Sequence, residues 1–142
     1  MARRLVMDCS VCIKWYVPEP GADAARALLT SDAEQLLAPD LIIAELGNVL
    51  WKRQRNGTLS LAEARRMVDL IADPAVFPLI VVPAAMLLPL ALVIAAECDR
   101  TVYDALYVAL AVVENAQLVT ADHRLANALA GTRFAHYVMV LS

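Results

Sequence analysis

Four acidic residues occupy positions where an α/β fold would bring their side chains together. Asp8 and Asp122 each close a short apolar run, whereas Glu45 and Asp104 lie in the first turns of two strongly apolar helical stretches. In a parallel sheet, the carboxyl ends of the strands and the amino ends of the helices share one edge, where ligands usually bind. We therefore expect the four carboxylates to meet at a single site.

The types of these four residues indicate what that site would bind. Carboxylates crowded at one edge repel one another unless a cation lies among them. Ligand sets made only of oxygen favour hard ions such as Mg²⁺ or Mn²⁺. The pattern predicts a metal-dependent enzyme that acts on phosphoryl groups.

Each acid also has a purely structural interpretation. Asp8 and Asp122 could each cap a helix, and Asp104 could belong to a capping box that starts at Thr101. Glu45 could be favoured by the helix dipole. However, Asp8 follows a strand that should be central, where an unpaired carboxylate is costly to bury. Glu45 and Asp104 are embedded in apolar helices, which favours a cation.

Other designs for handling phosphate fit less well. A phosphatase with an aspartyl nucleophile usually has a second Asp two positions later, where this chain has Ser10. A P-loop needs glycines and a Lys-Ser/Thr pair, and a dinucleotide fold needs Gly-x-Gly-x-x-Gly after its first strand. None of the four glycines is arranged in either way. His123, beside Asp122, is expected on an exposed helical turn rather than as a ligand.

The composition is that of one unusually apolar domain. The chain has 142 residues, 61% of them hydrophobic, and a mean hydropathy of +0.60, so we expect a single domain over residues 1–142. Residues 75–96 carry no charge, but Pro78, Pro83 and Pro89 interrupt them. We therefore expect a buried strand and helix there and no membrane segment.

The apolar surplus is explained by a parallel core with helices on both faces, together with an apolar surface patch. We expect the patch to form a homodimer through helices near residues 46–51 and 61–71. The apolar run before Asp8 is too short for an export signal, which predicts a cytoplasmic protein with reduced cysteines. Cys9 and Cys12 have the C-x-x-C spacing, but buried thiols are favoured over a redox pair.

A net charge of −3 argues against a protein that coats nucleic acid through bulk positive charge. It leaves a nuclease open, because metal-binding carboxylates themselves lower the net charge. The chain also has local positive patches, which we interpret as solvated helix faces rather than as a nucleic-acid-binding surface. They comprise Lys52, Arg53, Arg55, Arg65 and Arg66.

Apolar β runs alternate with helical periodicity along the chain. Strands are predicted at residues 4–7, 36–38, 79–82, 118–120 and 137–141. Helices are predicted to start near Ser10, Ala22, Asp40, Ser60, Leu88, Thr101 and Asp122. This alternation implies an α/β fold whose central parallel sheet has about five strands and right-handed crossovers.

Several segments carry a family resemblance: Val6-Met7-Asp8-Cys9-Ser10-Val11, Lys14-Trp15, the helical Glu45, Thr101-Val102-Tyr103-Asp104-Ala105-Leu106-Tyr107-Val108-Ala109-Leu110-Ala111 and Thr120-Ala121-Asp122. In order and spacing they resemble the PIN-domain ribonucleases, and most closely the VapC-type toxins of toxin–antitoxin pairs. The resemblance extends from residue 5 to about residue 140. Cys9 stands where the family commonly has Ala, and no family acid is missing.

The resemblance implies a PIN-like three-layer α/β/α fold and hydrolysis of RNA phosphodiesters that depends on Mg²⁺ or Mn²⁺. By position, Asp8 and Asp104 are the expected metal ligands, and Glu45 and Asp122 complete the acidic pocket directly or through water. Ser10 and Thr120 are expected to hydrogen-bond the carboxylates or metal-bound water. The resemblance also implies a cognate antitoxin that inhibits the enzyme.

Two other classes stay open at this point. One is a PIN-like protein-binding module with little catalysis, against which the intact acids argue. The other is a small-molecule phosphohydrolase on a similar sheet, which the missing phosphate-binding loop disfavours.

Overall fold

The computed structural model describes residues 3–30 and 34–141. The strands are β1 (Arg3–Met7), β2 (Glu34–Pro39), β3 (Ile80–Val82), β4 (Gln117–Thr120) and β5 (Val138–Val140). Within the described residues they form one five-stranded parallel sheet in the order β3-β2-β1-β4-β5. The predicted parallel sheet of about five strands is therefore confirmed.

Helices cover both faces of this sheet, which confirms the three-layer α/β/α architecture. They are α1 (Cys9–Cys12), α2 (Ala22–Leu29), α3 (Leu41–Arg55), α4 (Leu61–Ala72), α5 (Ala84–Cys98), α6 (Val102–Glu114) and α7 (His123–Leu129). Short 3₁₀ turns lie at Ile13–Trp15 and Ala135–Tyr137.

The core centres on β1 and α6. Strand β1 pairs with both β2 and β4, and Leu5, Val6 and Met7 are fully buried, as a strand covered on both faces requires. Helix α6 packs across β1, β2 and β4, and its residues 105–111 are all buried. The all-round apolar pattern of this helix correctly predicted its central position.

One predicted helix start agrees to within one residue, and another was wrong. Helix α1 begins at Cys9, one residue before Ser10, and Asp8 is its N-cap because the carboxylate accepts the Val11 N–H at 3.3 Å. Helix α5 begins at Ala84 and so contains Pro89 in its second turn. Pro89 removes the donor for the carbonyl of Ala85, and that loss is tolerated because Ala85 is exposed.

The predicted caps of α3 and α4 differ in outcome. Ser60 forms the predicted capping box with Glu63, since each side chain accepts the other residue's backbone N–H. Asp40 precedes α3 but makes no capping bond within it. Its carboxylate instead accepts the N–H of Ala84 at 3.0 Å and thereby joins the starts of α3 and α5.

The uncharged stretch at residues 75–96 forms β3 and most of α5. Among the helices in the described parts of the chain, none is both long enough and apolar enough to cross a bilayer. Helix α5 nevertheless exposes apolar side chains, namely Met86, Leu88, Leu92 and Val93. A second exposed apolar set lies on α3 and α4 and includes Trp51, Leu61, Val68 and Leu70.

Candidate active site

A pocket of about 160 Å³ is lined by all four predicted acids. Asp8 follows β1 and Asp122 follows β4, while Glu45 lies in the second turn of α3 and Asp104 in the first turn of α6. The pocket therefore lies at the carboxyl-terminal edge of the sheet. Its lining is completed by Cys9, Ser10, Tyr107 and Leu125.

The strand order explains this location. From β1 the chain continues to β2 on one side of it, whereas β4 pairs with the other side of β1. The direction of connection thus reverses between β1 and β4, and such reversal points form the ligand crevices of open α/β sheets. The Asp8 N–H donates to the Val119 carbonyl at 3.3 Å, which ties the two strand ends together.

Asp8 accepts hydrogen bonds from two hydroxyl groups of predicted supporting residues. Ser10 Oγ donates to Oδ1, and Thr120 Oγ1 donates to Oδ2 at 2.5 Å. The hydroxyl oxygens in turn accept the backbone N–H groups of Ala121 at 2.9 Å and Asp122 at 3.0 Å. Because each hydroxyl has one proton, these backbone donors leave both hydroxyls as donors toward Asp8.

The Asp8 side chain is deeply placed, since only 8% of the residue is exposed. Burial raises the pKa of its carboxyl group, and the hydrogen bonds from Ser10, Thr120 and the Val11 N–H only partly oppose that rise. The described hydrogen-bond donors to the Asp8 carboxylate are all uncharged groups. A cation in the pocket would offset the remaining cost of burying it.

Glu45 has a hydrogen-bond partner that the sequence reasoning missed. The buried Tyr107 hydroxyl donates to Glu45 Oε1. Burial raises the pKa of Glu45, the Tyr107 hydrogen bond lowers it, and the nearby charges of Asp8 and Asp104 raise it further. Tyr107 lies three residues after Asp104, so the helical i, i+3 spacing was the available signal.

Asp104 also has an unpredicted partner. Arg100 Nη2 donates to Asp104 Oδ2 at 2.8 Å. No basic partner for Asp104 was predicted from the sequence. Arg100 precedes the acid by four residues, across the turn that leads into α6, and Thr101 caps that helix by accepting the Asp104 N–H.

Asp122 is the N-cap of α7, where its carboxylate accepts the Arg124 N–H at 2.9 Å. Asp122 can cap the helix and also line the pocket, because one carboxylate has two oxygens and several acceptor sites. The neighbouring His123 is exposed, as predicted, and does not line the pocket.

The thiols near the pocket are poorly suited to redox chemistry. Burial, with help from the nearby Glu45 and Asp8 carboxylates, raises the pKa of Cys9 to about 12. Burial raises the pKa of Cys12 as well. Reactive cysteines need thiolate character, so the C-x-x-C spacing here belongs to two protonated side chains in the short helix α1.

The predicted basic cluster on α3 and α4 is divided in the structure. Arg53 pairs with Glu19 at 2.5 Å, and Lys14 pairs with the same carboxylate at 3.0 Å. The other members are exposed: Lys52, Arg55, Arg65 and Arg66. Arg53 therefore connects α3 to the segment after α1, and the remainder form solvated helix faces, as the favoured interpretation predicted.

A larger pocket of about 590 Å³ lies at the opposite, amino-terminal edge of the sheet. There Arg4 pairs with Glu114 at 2.6 Å and also donates to Gln35 at 3.3 Å. Glu114 is the one acid among the described residues that line this pocket, so they include no cluster of acids. The smaller acidic pocket is the better candidate for catalysis.

The donor set of the acidic pocket fits a hard divalent cation, because its charged groups are all carboxylates. In residues 3–30 and 34–141, no three His, Cys, Asp or Glu side chains are already arranged as a metal site. Mg²⁺ does not need such a cage, since it usually keeps several waters and uses one or two carboxylates. On this basis, two of the pocket carboxylates would be enough to hold such an ion.

Comparison with known proteins gives one consistent family. Residues 5–129 match the family model of the PIN domain. The chain is 37% identical over 124 residues to ribonuclease VapC3 of Pyrobaculum aerophilum, an alignment that covers 87% of this chain and 92% of that protein.

Solved structures agree at the level of the fold. A crystal structure of a Pyrobaculum aerophilum protein matches with a TM-score of 0.68 and 26% identity, covering 99% of this chain and 92% of that one. A chain from a toxin–antitoxin complex of Klebsiella pneumoniae matches with a TM-score of 0.65 and 14% identity, covering 97% and 98%.

Proposed function

Because this chain belongs to the PIN domain family, we propose that it is a metal-dependent endoribonuclease, the toxin of a toxin–antitoxin pair. Its relative from Pyrobaculum aerophilum is named a ribonuclease. The observation that carries the proposal is the convergence of Asp8, Glu45, Asp104 and Asp122 on one pocket at the sheet edge. RNA as substrate makes the cytoplasm the proposed compartment.

Asp8 and Asp104 would hold Mg²⁺ or Mn²⁺, with Glu45 and Asp122 beside them. The bound ion would lower the pKa of water and stabilise the negative charge that develops on the phosphoryl oxygens. The protein's contribution is to fix the carboxylates. Ser10 and Thr120 hold both oxygens of Asp8, so its carboxylate cannot rotate without breaking two hydrogen bonds.

Glu45 is the proposed residue that orients the attacking water. Its carboxylate lines the pocket, and the Tyr107 hydroxyl holds one of its oxygens while the other is left to accept from water. The raised pKa of this group brings it closer to neutral pH than an ordinary glutamate, which suits a proton acceptor. Attack by water on phosphorus would leave 5′-phosphate and 3′-hydroxyl ends.

The proposed antitoxin site is a groove between α3 and α4. This groove has a volume of about 180 Å³ and is lined mainly by apolar groups, including Leu50, Trp51, Leu61 and Val68. A disordered tail needs buried apolar anchors to offset the entropy lost on ordering. A basic side chain of the tail would then pair with a pocket carboxylate and compete with the metal.

The proposed homodimer uses a different surface. The sequence predicts the dimer contact on α3 and α4, but the groove there is the proposed antitoxin site, so we place the dimer contact on α5, which also exposes apolar side chains. Met86 is 74% exposed and Leu92 is 62% exposed on that helix. Apolar patches of this kind mark protein contacts.

The direct test is cleavage of single-stranded RNA with purified protein in Mg²⁺, in Mn²⁺ and in EDTA. We expect cleavage that requires metal and is lost in Asp8→Asn, which keeps the shape of the side chain but removes its charge. Asp69→Asn, at an exposed acid on α4, is the matched control and should cleave normally. Full activity of Asp8→Asn would overturn the proposal.

A further inference from the structure

Arg100 is a cation at the acidic pocket that the metal chemistry leaves unexplained. One of its nitrogens, Nη2, is bonded to Asp104, and 27% of the side chain is exposed. Its Nε atom is buried and has no hydrogen-bond partner among the described residues. A buried donor without a partner indicates that a ligand, ion or water completes its surroundings.

Building on the proposed function, we propose that Arg100 binds a phosphate of the RNA substrate beside the bond that is cleaved. A guanidinium group has five N–H donors in a planar fork that matches the oxygens of a phosphate. The hydrogen bond to Asp104 uses one donor, so most of the fork is left for a second anion. The exposed part of the side chain leaves it open to such an anion.

The bond to Asp104 also sets where that anion would lie. Asp104 lines the pocket and is a proposed metal ligand, so its hydrogen bond to Arg100 keeps the guanidinium beside the carboxylate that would hold the metal. Asp104 would then separate two positive groups, the metal and Arg100. Together they would face the non-bridging oxygens of one phosphodiester, as clamps for phosphoryl groups do.

Other cations near the pocket are placed differently. Lys14 and Arg53 are both paired with Glu19, which does not line the pocket. Arg124 has a side chain 90% exposed, and its Nε lies 3.8 Å from Asp122. Within the described residues, Arg100 alone has a guanidinium hydrogen-bonded to a pocket carboxylate.

The test separates phosphate binding from catalysis. Binding of a short single-stranded RNA of mixed sequence is measured at several salt concentrations with Asp8→Asn, which should not cleave, and with Asp8→Asn/Arg100→Gln. We expect Arg100→Gln to weaken binding about tenfold and to reduce the salt slope of log K by about 0.7, the value for one phosphate contact on a single strand. Arg100→Lys should keep the slope, because it keeps the charge.

Arg133→Gln is the matched control. It removes the same charge and breaks a 2.8 Å ion pair, but its partner Glu97 does not line the pocket. We expect this variant to leave affinity and slope unchanged. If Arg133→Gln weakens RNA binding as much as Arg100→Gln does, the effect is one of net charge and the proposal is wrong.

Kinetics in the otherwise native protein give a second reading. If Arg100 contacts a phosphate, Arg100→Gln should raise KM. If Arg100 only holds Asp104 in place, the same variant should lower kcat and leave KM and the salt slope unchanged. That second result would overturn the proposal. If Arg100→Gln does not fold, the KM of Arg100→Lys is the deciding measurement. An unchanged KM in that variant would exclude a bidentate contact between Arg100 and the RNA phosphate. Absence of metal-dependent cleavage in the unaltered protein would instead refute the ribonuclease assignment itself.

Discussion

Tyr107 and Glu45 join two helices across the pocket through one hydrogen bond between residues 62 positions apart. The phenol is almost completely buried on α6, and the carboxylate is half-buried on α3. Burial and the neighbouring carboxylate raise the pKa of Tyr107, so the phenol stays protonated and remains a donor. The bond thus fixes the orientation of an acid that would otherwise be free to turn away from the pocket.

Removal of the Tyr107 hydroxyl should impair catalysis more than folding. We expect Tyr107→Phe to lower kcat about tenfold and the free energy of unfolding by about 1–3 kcal/mol, because Glu45 keeps its burial but loses its donor. RNA cleavage and urea unfolding measure the two effects. Tyr103→Phe on the same helix, where the ring is 64% exposed, should change neither quantity, and a comparable loss there would remove the special role of Tyr107.

In the metal-free protein, the contribution of Asp8 and Glu45 to stability should fall as the pH rises above their ordinary pKa values. Burial raises the folded-state pKa values of Asp8 and Glu45 above the ordinary 3.8 and 4.5. Below those ordinary values both groups are protonated in the folded and unfolded chains. Between the ordinary and the raised pKa values, the two groups have lost their protons in the unfolded chain but keep them in the folded chain. Above the raised values, the folded chain must bury two negative charges. The folded state therefore becomes less favourable.

Asp8→Asn isolates the contribution of one group. Its free energy of unfolding in EDTA should equal that of the unaltered protein in acid and exceed it increasingly as the pH rises above the ordinary Asp pKa of 3.8, by about 1.4 kcal/mol for each unit by which folding raises the pKa. Thermal melts across this range check the prediction. A constant difference in Tm at every pH would show that the charge of Asp8 is not the cause.

The Thr120 hydroxyl should be coupled energetically to Asp8. Thr120→Val keeps the shape of a fully buried side chain but removes the donor to Asp8 and the acceptor for the Asp122 N–H. We expect a loss of about 1–3 kcal/mol of unfolding free energy in the native background and a smaller loss in Asp8→Asn, whose side chain is uncharged. Equal losses in urea unfolding of both backgrounds would indicate no coupling.

Antitoxin binding should depend on the groove between α3 and α4. Trp51→Ala is expected to weaken binding of the cognate partner at least tenfold, because buried aromatic anchors dominate such interfaces. Leu92→Ala on α5 is the control and should bind normally in calorimetry. Neutral replacement of the basic residue on the antitoxin tail should weaken inhibition more than binding, since the apolar anchors remain. A partner that saturates the protein without reducing RNA cleavage would contradict this mechanism.

Self-association should depend on α5. Sedimentation at micromolar concentration is expected to show a dimer, and Leu92→Glu should convert it to a monomer because the charge cannot be buried at an apolar contact. Val68→Glu on α4 serves as the comparison. Loss of the dimer only in that variant would place the interface on α4, as the sequence alone suggested.

The positions of the four acids could be predicted because local rules place them. Asp8 and Asp122 follow strands, and Glu45 and Asp104 lie in the first two turns of helices, so the parallel topology alone collects them at one edge. The extent of α5 could not be judged in the same way. This helix was predicted to start near Leu88, because proline is tolerated near a helix start, whereas the exposed position of Ala85 permits an earlier start.

The partners of the acids depended on packing that sequence patterns do not contain. Tyr107 was counted only as part of an apolar helix, although its hydroxyl reaches Glu45 on another helix. Arg100 lay at a readable i, i+4 spacing from Asp104, but it precedes the helix, where that spacing carries no geometric rule. The Tyr107 contact requires the relative positions of two whole helices, whereas the Arg100 contact depends on the local turn that leads into α6.

The bond between Thr120 and Asp8 links residues 112 positions apart. During translation, domains fold only once their interacting segments have been made. The nascent chain therefore has no complete acidic pocket until β4 and Asp122 have left the ribosome. Under the proposed function, a nascent chain could not cleave RNA at this site until most of its own sequence has been translated.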